Sequence, residues 1–331
     1  MGLFSSSSTP SFLGVDIGTS SIKIVELKKE AGQAKLLTYG FSENKEIISG
    51  EGQHNPAYLA GAINRICNEA GMVSRTAVSA LPTFSVFSSI INLSSVNKKD
   101  IDSAVHWEAK KVIPLPLEEM ILDWKIINNG QAGADQNKNQ TGKNVKVLLT
   151  GAPKSLVKKY IDIFKEAKIN LLSLETETFS LVRSLVGNDK SPVMLVELGA
   201  ATTDISIINN GIPLLSRSID VGGIKLTKEI SNFSKIEIEK AEQFKFDLGV
   251  SALDSAESGI PQIVTDVISP IVNEIKYALN LFRDKYKLQT EKIILSGGSA
   301  LLPNLTGYLG KVFNIQVLIG DPWARISYPV D

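Results

Sequence analysis

The chain has one cysteine, Cys67, and two histidines, His54 and His106, among 331 residues. A lone cysteine cannot close an intrachain disulfide, and zinc is normally held by about four ligands, which excludes both a disulfide staple and a Cys/His metal centre. Cys67 lies in a helix-like stretch, 60–70, and reads as a small buried apolar residue, consistent with a reducing compartment. A surplus of either charge is also missing, since Lys plus Arg is 35 and Asp plus Glu is 35. Proteins that grip a phosphate backbone carry a basic excess, so no nucleic-acid partner is expected. Long apolar runs are absent as well. The longest uncharged stretch, 76–97, approaches the ~20 residues of a membrane helix, but Pro82 and interspersed serines break it into two strands and a turn. The segment Met1 to Ser11 has no basic flank and lacks the apolar core of roughly 7–15 residues that a signal peptide needs, so it reads as a loose tail. Direct membrane insertion is not expected, and any membrane attachment would come through a partner.

What is present is an ordinary globular composition, 43% hydrophobic and 21% charged, over a length that suggests about two domains. The apolar run 12–17, the polar turn 18–21 and the run 22–27 predict strand, turn, strand. A third strand follows at 34–41. Residues 55–70 carry a helical stripe opened by Asn55 and Pro56, and 76–81 supply a fourth strand. The same order starts again at 193: a strand to 198, a small polar turn, a strand at 203–208, the hairpin signal Asn210-Gly211 and a strand at 212–219. Helices are expected from about Gly222, over 236–246 and over 261–287. A buried strand at 292–295, a helix with Pro303 in its first turn and a last strand at 315–319 complete the half.

This repetition predicts an α/β fold of two duplicated halves around a cleft, 1–186 and 187–331. Between them lies a compact α+β insert, about 85–170. It contains strands at 86–93, 121–127 and 145–151 and a helix over 97–112 with Ile101, Ala104, Val105, Glu108 and Val112 on one side. Pro114 and Pro116 stop that helix. A loop is expected over 128–144 and a helix over 153–167. His106, Trp107 and Trp124 read as packing or partner surface.

Three glycine-bearing turns carry the candidate chemistry. In Asp16-Ile17-Gly18-Thr19-Ser20-Ser21-Ile22-Lys23, Gly18 permits a tight turn, while backbone N–H groups and hydroxyls can donate to phosphate oxygens. Lys23 supplies a positive charge, and Asp16 can hold a water of hydrated Mg²⁺, which keeps several waters. Glu197-Leu198-Gly199-Ala200-Ala201-Thr202-Thr203-Asp204 repeats this design, with Asp204 read as a strand-surface carboxylate. Two such hairpins could close on one phosphate chain from both sides. The third turn, Ser296-Gly297-Gly298-Ser299-Ala300, allows close approach of a flat ring or sugar, or is a plain strand-to-helix turn. Glu242 and Lys245 are candidates for contacting an adenine or ribose, with solvent-exposed helix charges as the alternative. Glu175 and Glu177 stand at a strand-to-helix junction, where acids favour the helix N-terminus. Glu177 could instead position a water beside the terminal phosphate. No Walker A loop and no dinucleotide fingerprint occurs.

In this order the three turns resemble the first-phosphate, second-phosphate and adenosine motifs of the actin/Hsp70/sugar-kinase superfamily. Asp16, Gly18, Thr19 and Lys23 match the first hairpin of actin in spacing. Gly199, Thr202 and Thr203 fit the second, with Ala200 and Ala201 in place of glycines. Glu197 stands where most members carry Asp, which lengthens the arm and puts fast hydrolysis in doubt.

The stretch 107–119, Trp-Glu-Ala-Lys-Lys-Val-Ile-Pro-Leu-Pro-Leu-Glu-Glu, is similar to the insert of the PilM family of type IV pilus assembly. So are 177–181 and 295–303. The resemblance covers about Leu13 to Ala324. The insert is shared with the filament-forming division protein FtsA, but FtsA-like proteins carry a C-terminal amphipathic helix after a linker. Residues 321–331 are too short and too Pro-broken for that.

The resemblance implies a cytoplasmic protein, peripheral to the inner membrane through a partner, that binds ATP with Mg²⁺ and hydrolyses it slowly at most. Its implied phosphate-binding residues are Asp16, Gly18, Thr19, Ser20, Lys23, Gly199, Ala200, Ala201 and Thr202. Glu242, Lys245, Gly297, Gly298 and Ser299 would bind adenosine, and Asp16 and Glu197 would hold the metal through water. The implied partner is the cytoplasmic N-terminal peptide of a PilN-type membrane protein, in a groove between the insert and the first half. Self-association is a further expectation. A small-molecule kinase would need a general-base Asp, for which no candidate stands out.

Overall fold

A computed structural model describes residues 10–43, 55–94, 98–127, 145–250 and 260–328. The chain divides into two compact units, residues 1–80 with 161–331, and residues 81–160.

The first unit opens with a meander, β1 (Ser11–Ile17), β2 (Ser21–Glu30) and β3 (Gln33–Glu43), followed by helix α1 (Pro56–Glu69) and β4 (Thr76–Leu81). Helix α1 starts where the sequence predicts. The Asn55 side chain accepts from Ala57 N–H at 3.0 Å, and Pro56 takes an early position that needs no N–H. Its stripe Leu59, Ile63, Ile66 and Cys67 is buried, which bears out the reading of Cys67. Gly40 lets β3 lie against this helix, because a Cβ there would stand 2.8 Å from Ile66 Cγ2.

In the second half, β9 (Val193–Leu198), β10 (Thr203–Asn209) and β11 (Ile212–Ile219) repeat the meander. Helices α5 (Gly223–Ser234), α6 (Ile238–Leu248) and α7 (Ile260–Tyr286) follow, then β12 (Lys292–Ser296), α8 (Leu305–Phe313), β13 (Gln316–Ile319) and β14 (Ile326–Ser327). The half-joining segment contains β8 (Asn170–Thr176), the short helix α4 (Glu177–Leu181) and a π-helical turn, Val182–Val186.

The two sheets have one plan. The first runs β14-β3-β2-β1-β4-β8 and the second β11-β10-β9-β12-β13. In each, the meander is antiparallel and its first strand pairs in parallel with a later one, β1 with β4 and β9 with β12. Both meanders even carry a register shift, between Glu26 and Leu27 and between Ile207 and Ile208. The predicted duplication is therefore present. Strands β9 and β12 are buried along almost their whole length, as expected of strands covered on both faces.

The second unit is a three-stranded sheet, β5 (Phe87–Leu93), β7 (Val145–Pro153) and β6 (Met120–Ile127), in the order β5-β7-β6 with helix α2 (Ile101–Val112). Its core holds Ile91, Leu93, Val105, Met120 and Leu149, with Trp124 packed at its margin. Trp107 is 66% exposed. Helix α3 (Lys154–Glu166) follows β7.

Two expectations change. The inward face of α2 is Ile101, Val105 and Ala109, and Val112 is exposed, because the helix begins at Ile101 after a 3₁₀ turn. Pro303 lies before α8, which starts at Leu305 behind the left-handed Asn304. The strand β8, residues 170–176, belongs to the first sheet. The predicted loop at 128–144 and the tail before residue 10 lie outside the described residues.

Candidate functional site

Asp16 on β1 and Lys23 on β2 stand opposite each other in register and share a face of the hairpin. Lys23 Nζ donates to Asp16 Oδ2 at 3.2 Å. The turn between them closes when Gly18 N–H donates to the Ser21 carbonyl at 3.0 Å. A Cβ on Gly18 would stand 3.1 Å from that carbonyl, so the small residue sets how tight the turn can be.

The second hairpin repeats this. Gly199 N–H donates to the Thr202 carbonyl at 3.0 Å, and Glu197 on β9 pairs with Asp204 on β10. Both turns leave Thr19, Ser20, Ala200 and Ala201 half-buried at their tips.

Electrostatics join the hairpins. Burial pushes the Glu197 carboxyl up to about 7; the neighbouring charges of Asp16 and Asp204 push the same way, and Lys23 opposes them. Two of those charges belong to the first hairpin, so both turns border one polar region. Oε2 of Glu197 is buried there and has no hydrogen-bond partner among the described residues. A buried acceptor left without a partner calls for a ligand, an ion or water.

Asp204 corrects the sequence reading. It is 8% exposed rather than on the strand surface, and accepts from Thr202 Oγ1 at 3.1 Å and from Ser218 Oγ. Burial raises its pKa, while the two hydroxyls hold it back.

The third turn packs directly beneath the second hairpin. Gly297 has φ +85° and a Cβ there would overlap the Leu198 carbonyl, so only glycine fits. Gly298, by contrast, has open space where a Cβ would be. Helix α5 plugs into the same place. Gly223 N–H donates to the Gly199 carbonyl at 3.0 Å and Ile224 N–H to the Ala200 carbonyl at 2.9 Å. A Cβ on Gly222 would lie 2.6 Å from the Ala200 carbonyl, and one on Gly223 would overlap Ser299 Oγ and approach Lys245 Nζ at 3.4 Å.

Gly222, Gly223 and Thr227 are the residues that sequence reasoning passed over. The adjacent glycines were the available signal. Lys245 is only 3% exposed and donates to Glu242 Oε1 and Oε2 at 2.6 and 2.7 Å and to Thr227 Oγ1 at 3.2 Å. The alternative of two solvent-exposed charges therefore fails for Lys245, whereas Glu242 is half-exposed. The fold thus gathers Gly199, Ala200, Gly223, Lys245 and Ser299 around one point.

Glu177 opens helix α4 after Thr176 and is half-buried, as an acid in a first turn should be. Its neighbour Glu175 accepts from Ser180 Oγ at 2.6 Å and from Arg183.

A nucleotide polyphosphate fits these groups: two tight turns, a lysine and an orphaned carboxylate oxygen border one region, and an open glycine, Gly298, adjoins it. Among the described residues no cluster of three or more His, Cys, Asp or Glu could ligate a metal directly. A cation that keeps its own waters, as Mg²⁺ does, suits Asp16 and Glu197 better than a bare one.

Known proteins share this fold. A solved PilM-PilN type IV pilus biogenesis complex matches with TM-score 0.80 at 24% identity, over 96% of this chain and 90% of that one. MreB5 of Spiroplasma citri bound to AMPPNP matches with TM-score 0.56 at 15% identity, over 95% and 92%. Cell division protein FtsA of Streptococcus pneumoniae serotype 2 (strain D39 / NCTC 7466) is 21% identical over 94% of this chain and 75% of its own length. Fold and turns together define an actin-like ATPase fold, as the sequence led us to expect. The family model of the type IV pilus assembly protein PilM matches residues 14–330. The chain belongs to that family.

Proposed function

We propose that this chain is the nucleotide-holding component of a type IV pilus inner-membrane assembly, binding ATP with Mg²⁺ between its two hairpins. The observation that carries the reading is the matched pair of turn closures, Gly18 to Ser21 and Gly199 to Thr202, with Glu197 placed in the field of Asp16 and Lys23. Backbone N–H groups at the turn tips, residues 19–20 and 200–202, would donate to phosphate oxygens, and Lys23 would neutralise their charge. Asp16 and Glu197 would hold the metal through its waters, where the metal would screen the phosphate charge. Glu242, Lys245, Gly297, Gly298 and Ser299 would receive the nucleoside.

The longer arm of Glu197 suits holding over turnover, and Glu177 is the candidate for orienting a water. Halves that close on the nucleotide would bias the affinity of a second site for its partner. Family membership and the likeness to a PilM-PilN complex support the cytoplasmic N-terminal tail of a PilN-type protein as that partner. No helix among the described residues is long and apolar enough to cross a membrane, which suits attachment through such a partner.

The test is fluorescent-ATP titration of the parent, Asp16→Ala and Gly298→Val proteins, with and without the tail peptide. Gly298 has open space where a Cβ would stand, so valine is expected to enter the nucleoside's volume rather than strain the backbone. At least a tenfold loss of affinity is expected in each variant, about 1.4 kcal/mol. Unchanged affinity in both rejects the site, and no peptide binding in any nucleotide state rejects the partner.

A further inference from the structure

The edge of a sheet leaves backbone N–H and C=O groups unpaired, and natural proteins blunt such edges. Two edges are blunted here. Strand β3 takes β14 along its edge, pairing at Ala34 and Lys35. Strand β11 contains Pro213, which has no N–H to offer, and Tyr286 Oη donates to the Leu214 carbonyl at 3.1 Å. Strand β13, at the other end of the second sheet, has neither device. Its residues, Gln316-Val317-Leu318-Ile319, include no proline and no charge, and β12 is its one neighbour in the sheet among the described residues. Gly320 N–H donates to the Leu295 carbonyl at 2.8 Å, just past the register pair of Leu295 with Ile319. Peptide groups alternate sides along a strand, so Gln316 and Leu318 turn theirs to β12 while Val317 and Ile319 turn theirs outward. Leu318 and Ile319 are 40% and 49% exposed. The edge is a bare template for one more strand.

Space for that strand is present. An open groove of about 450 Å³ runs beside β13, lined by Thr306, Gly307 and Gly310 of α8 together with Asn314 and Val317. Neither glycine is required by the packing of the chain itself. A Cβ on Gly307 would meet nothing within 4 Å, and one on Gly310 would make only ordinary contact, 3.6 Å from the Ile315 carbonyl. Glycine weakens a helix interior, so what these two supply is clearance over α8. The groove also has a sign. Among residues 305–319 the single charged side chain is Lys311. It is exposed, four positions after Gly307 and three before Asn314, which puts it on the groove side of the helix. An acidic strand complements it.

We propose that β13 is a docking edge, to which an extended, acidic segment of a partner protein adds as a further strand of the second sheet. Main-chain hydrogen bonds to Val317 and Ile319 hold the segment, β-branched side chains lie over Gly307 and Gly310, and Lys311 selects for acid. The edge belongs to the second half and adds a partner to the tail proposed above. It stands whether or not the nucleotide reading does.

The probe is a fluorescein-labelled peptide, Thr-Val-Glu-Val-Glu-Val-Glu-Thr, titrated against the full chain beside a version with lysine in place of each glutamate. The acidic peptide should bind, and the lysine version should bind at least about fivefold more weakly; Lys311→Glu should reverse that preference. Bound peptide should slow amide exchange at Val317 and Ile319 at least about tenfold by NMR, and leave Gln316 and Leu318 within about twofold. Val317→Pro removes an outward N–H without breaking the ladder to β12, and should weaken binding at least about tenfold. Gly307→Phe, at a helix position with open space, fills the groove and should do the same, which keeps the test decisive if the proline variant does not fold. Urea midpoints report the folding of each variant. A parent that does not bind the acidic peptide, equal binding by the folded variants, or protection without the alternation overturns the proposal. So does a parent dimer that Val317→Pro disperses in the absence of peptide, because a second copy would then be the occupant.

Discussion

Glu197 combines burial, two like charges and an unpartnered oxygen, which makes it the residue whose behaviour reports most directly on the site. Folded, it keeps its proton up to about 7, against an ordinary 4.5. Between those values the folded chain binds more protons than the unfolded one, so the contribution of this carboxyl to stability falls as pH rises. Below 4.5 both states are protonated and there is no difference; above 7 the penalty is complete. Glu197→Gln, neutral throughout, should therefore stabilise the nucleotide- and metal-free protein by on the order of 1–3 kcal/mol at pH 8 and by close to nothing at pH 4.5. Urea midpoints at the two pH values measure this, and an equal gain at both would contradict it. The sequence made Glu197 legible as an acid at a strand end. Its burial and the reach of Asp16 to it required the second hairpin to be brought in.

Elements are held by a few buried polar groups as well as by apolar stripes. Glu26 of β2 is 1% exposed and accepts from Val73 and Ser74 N–H, each at 3.0 Å, and from Ser11 Oγ at 2.6 Å. It fastens the start of β1 and the connection into β4 to the middle of the sheet. Glu26→Gln turns one acceptor oxygen into a donor facing donors, and should cost about 2–3 kcal/mol in urea unfolding at pH 7. A loss under about 0.5 kcal/mol would show the carboxylate to be dispensable. Nothing local in the sequence marks Glu26, which sits among alternating residues of an ordinary strand; its backbone donors are 47 and 48 residues away. The elements themselves were far easier to read. Apolar runs parted by small polar turns named β1, β2, β9 and β10, and the Asn55-Pro56 opening named α1. The α8 start was missed because Pro303 suits a helix N-terminus on local grounds, yet Asn304 behind it is left-handed and the helix starts only at Leu305.

At the scale of the molecule, the second unit has its own core, distinct from that of the duplicated halves. The proposed nucleotide residues all lie in the first unit. ADP at about 100 times its dissociation constant should therefore stabilise the first unit by about 2.7 kcal/mol and leave the second unmoved. Calorimetry should show one transition rising with ADP and another fixed. Two transitions that rise together would mean that the units unfold as one block.

The sequence by itself determined the repeated order of elements, the three glycine turns and the family, because hydrophobic period and turn chemistry are local properties of the chain. Only the tertiary structure decided that Lys245 is buried on Glu242 and Thr227, that Gly223 lies against Ser299, and that Asp16 bears on Glu197. Those pairings join residues up to 181 positions apart. They depend on how sheets and helices pack in three dimensions, a relation that neighbours along the chain do not encode.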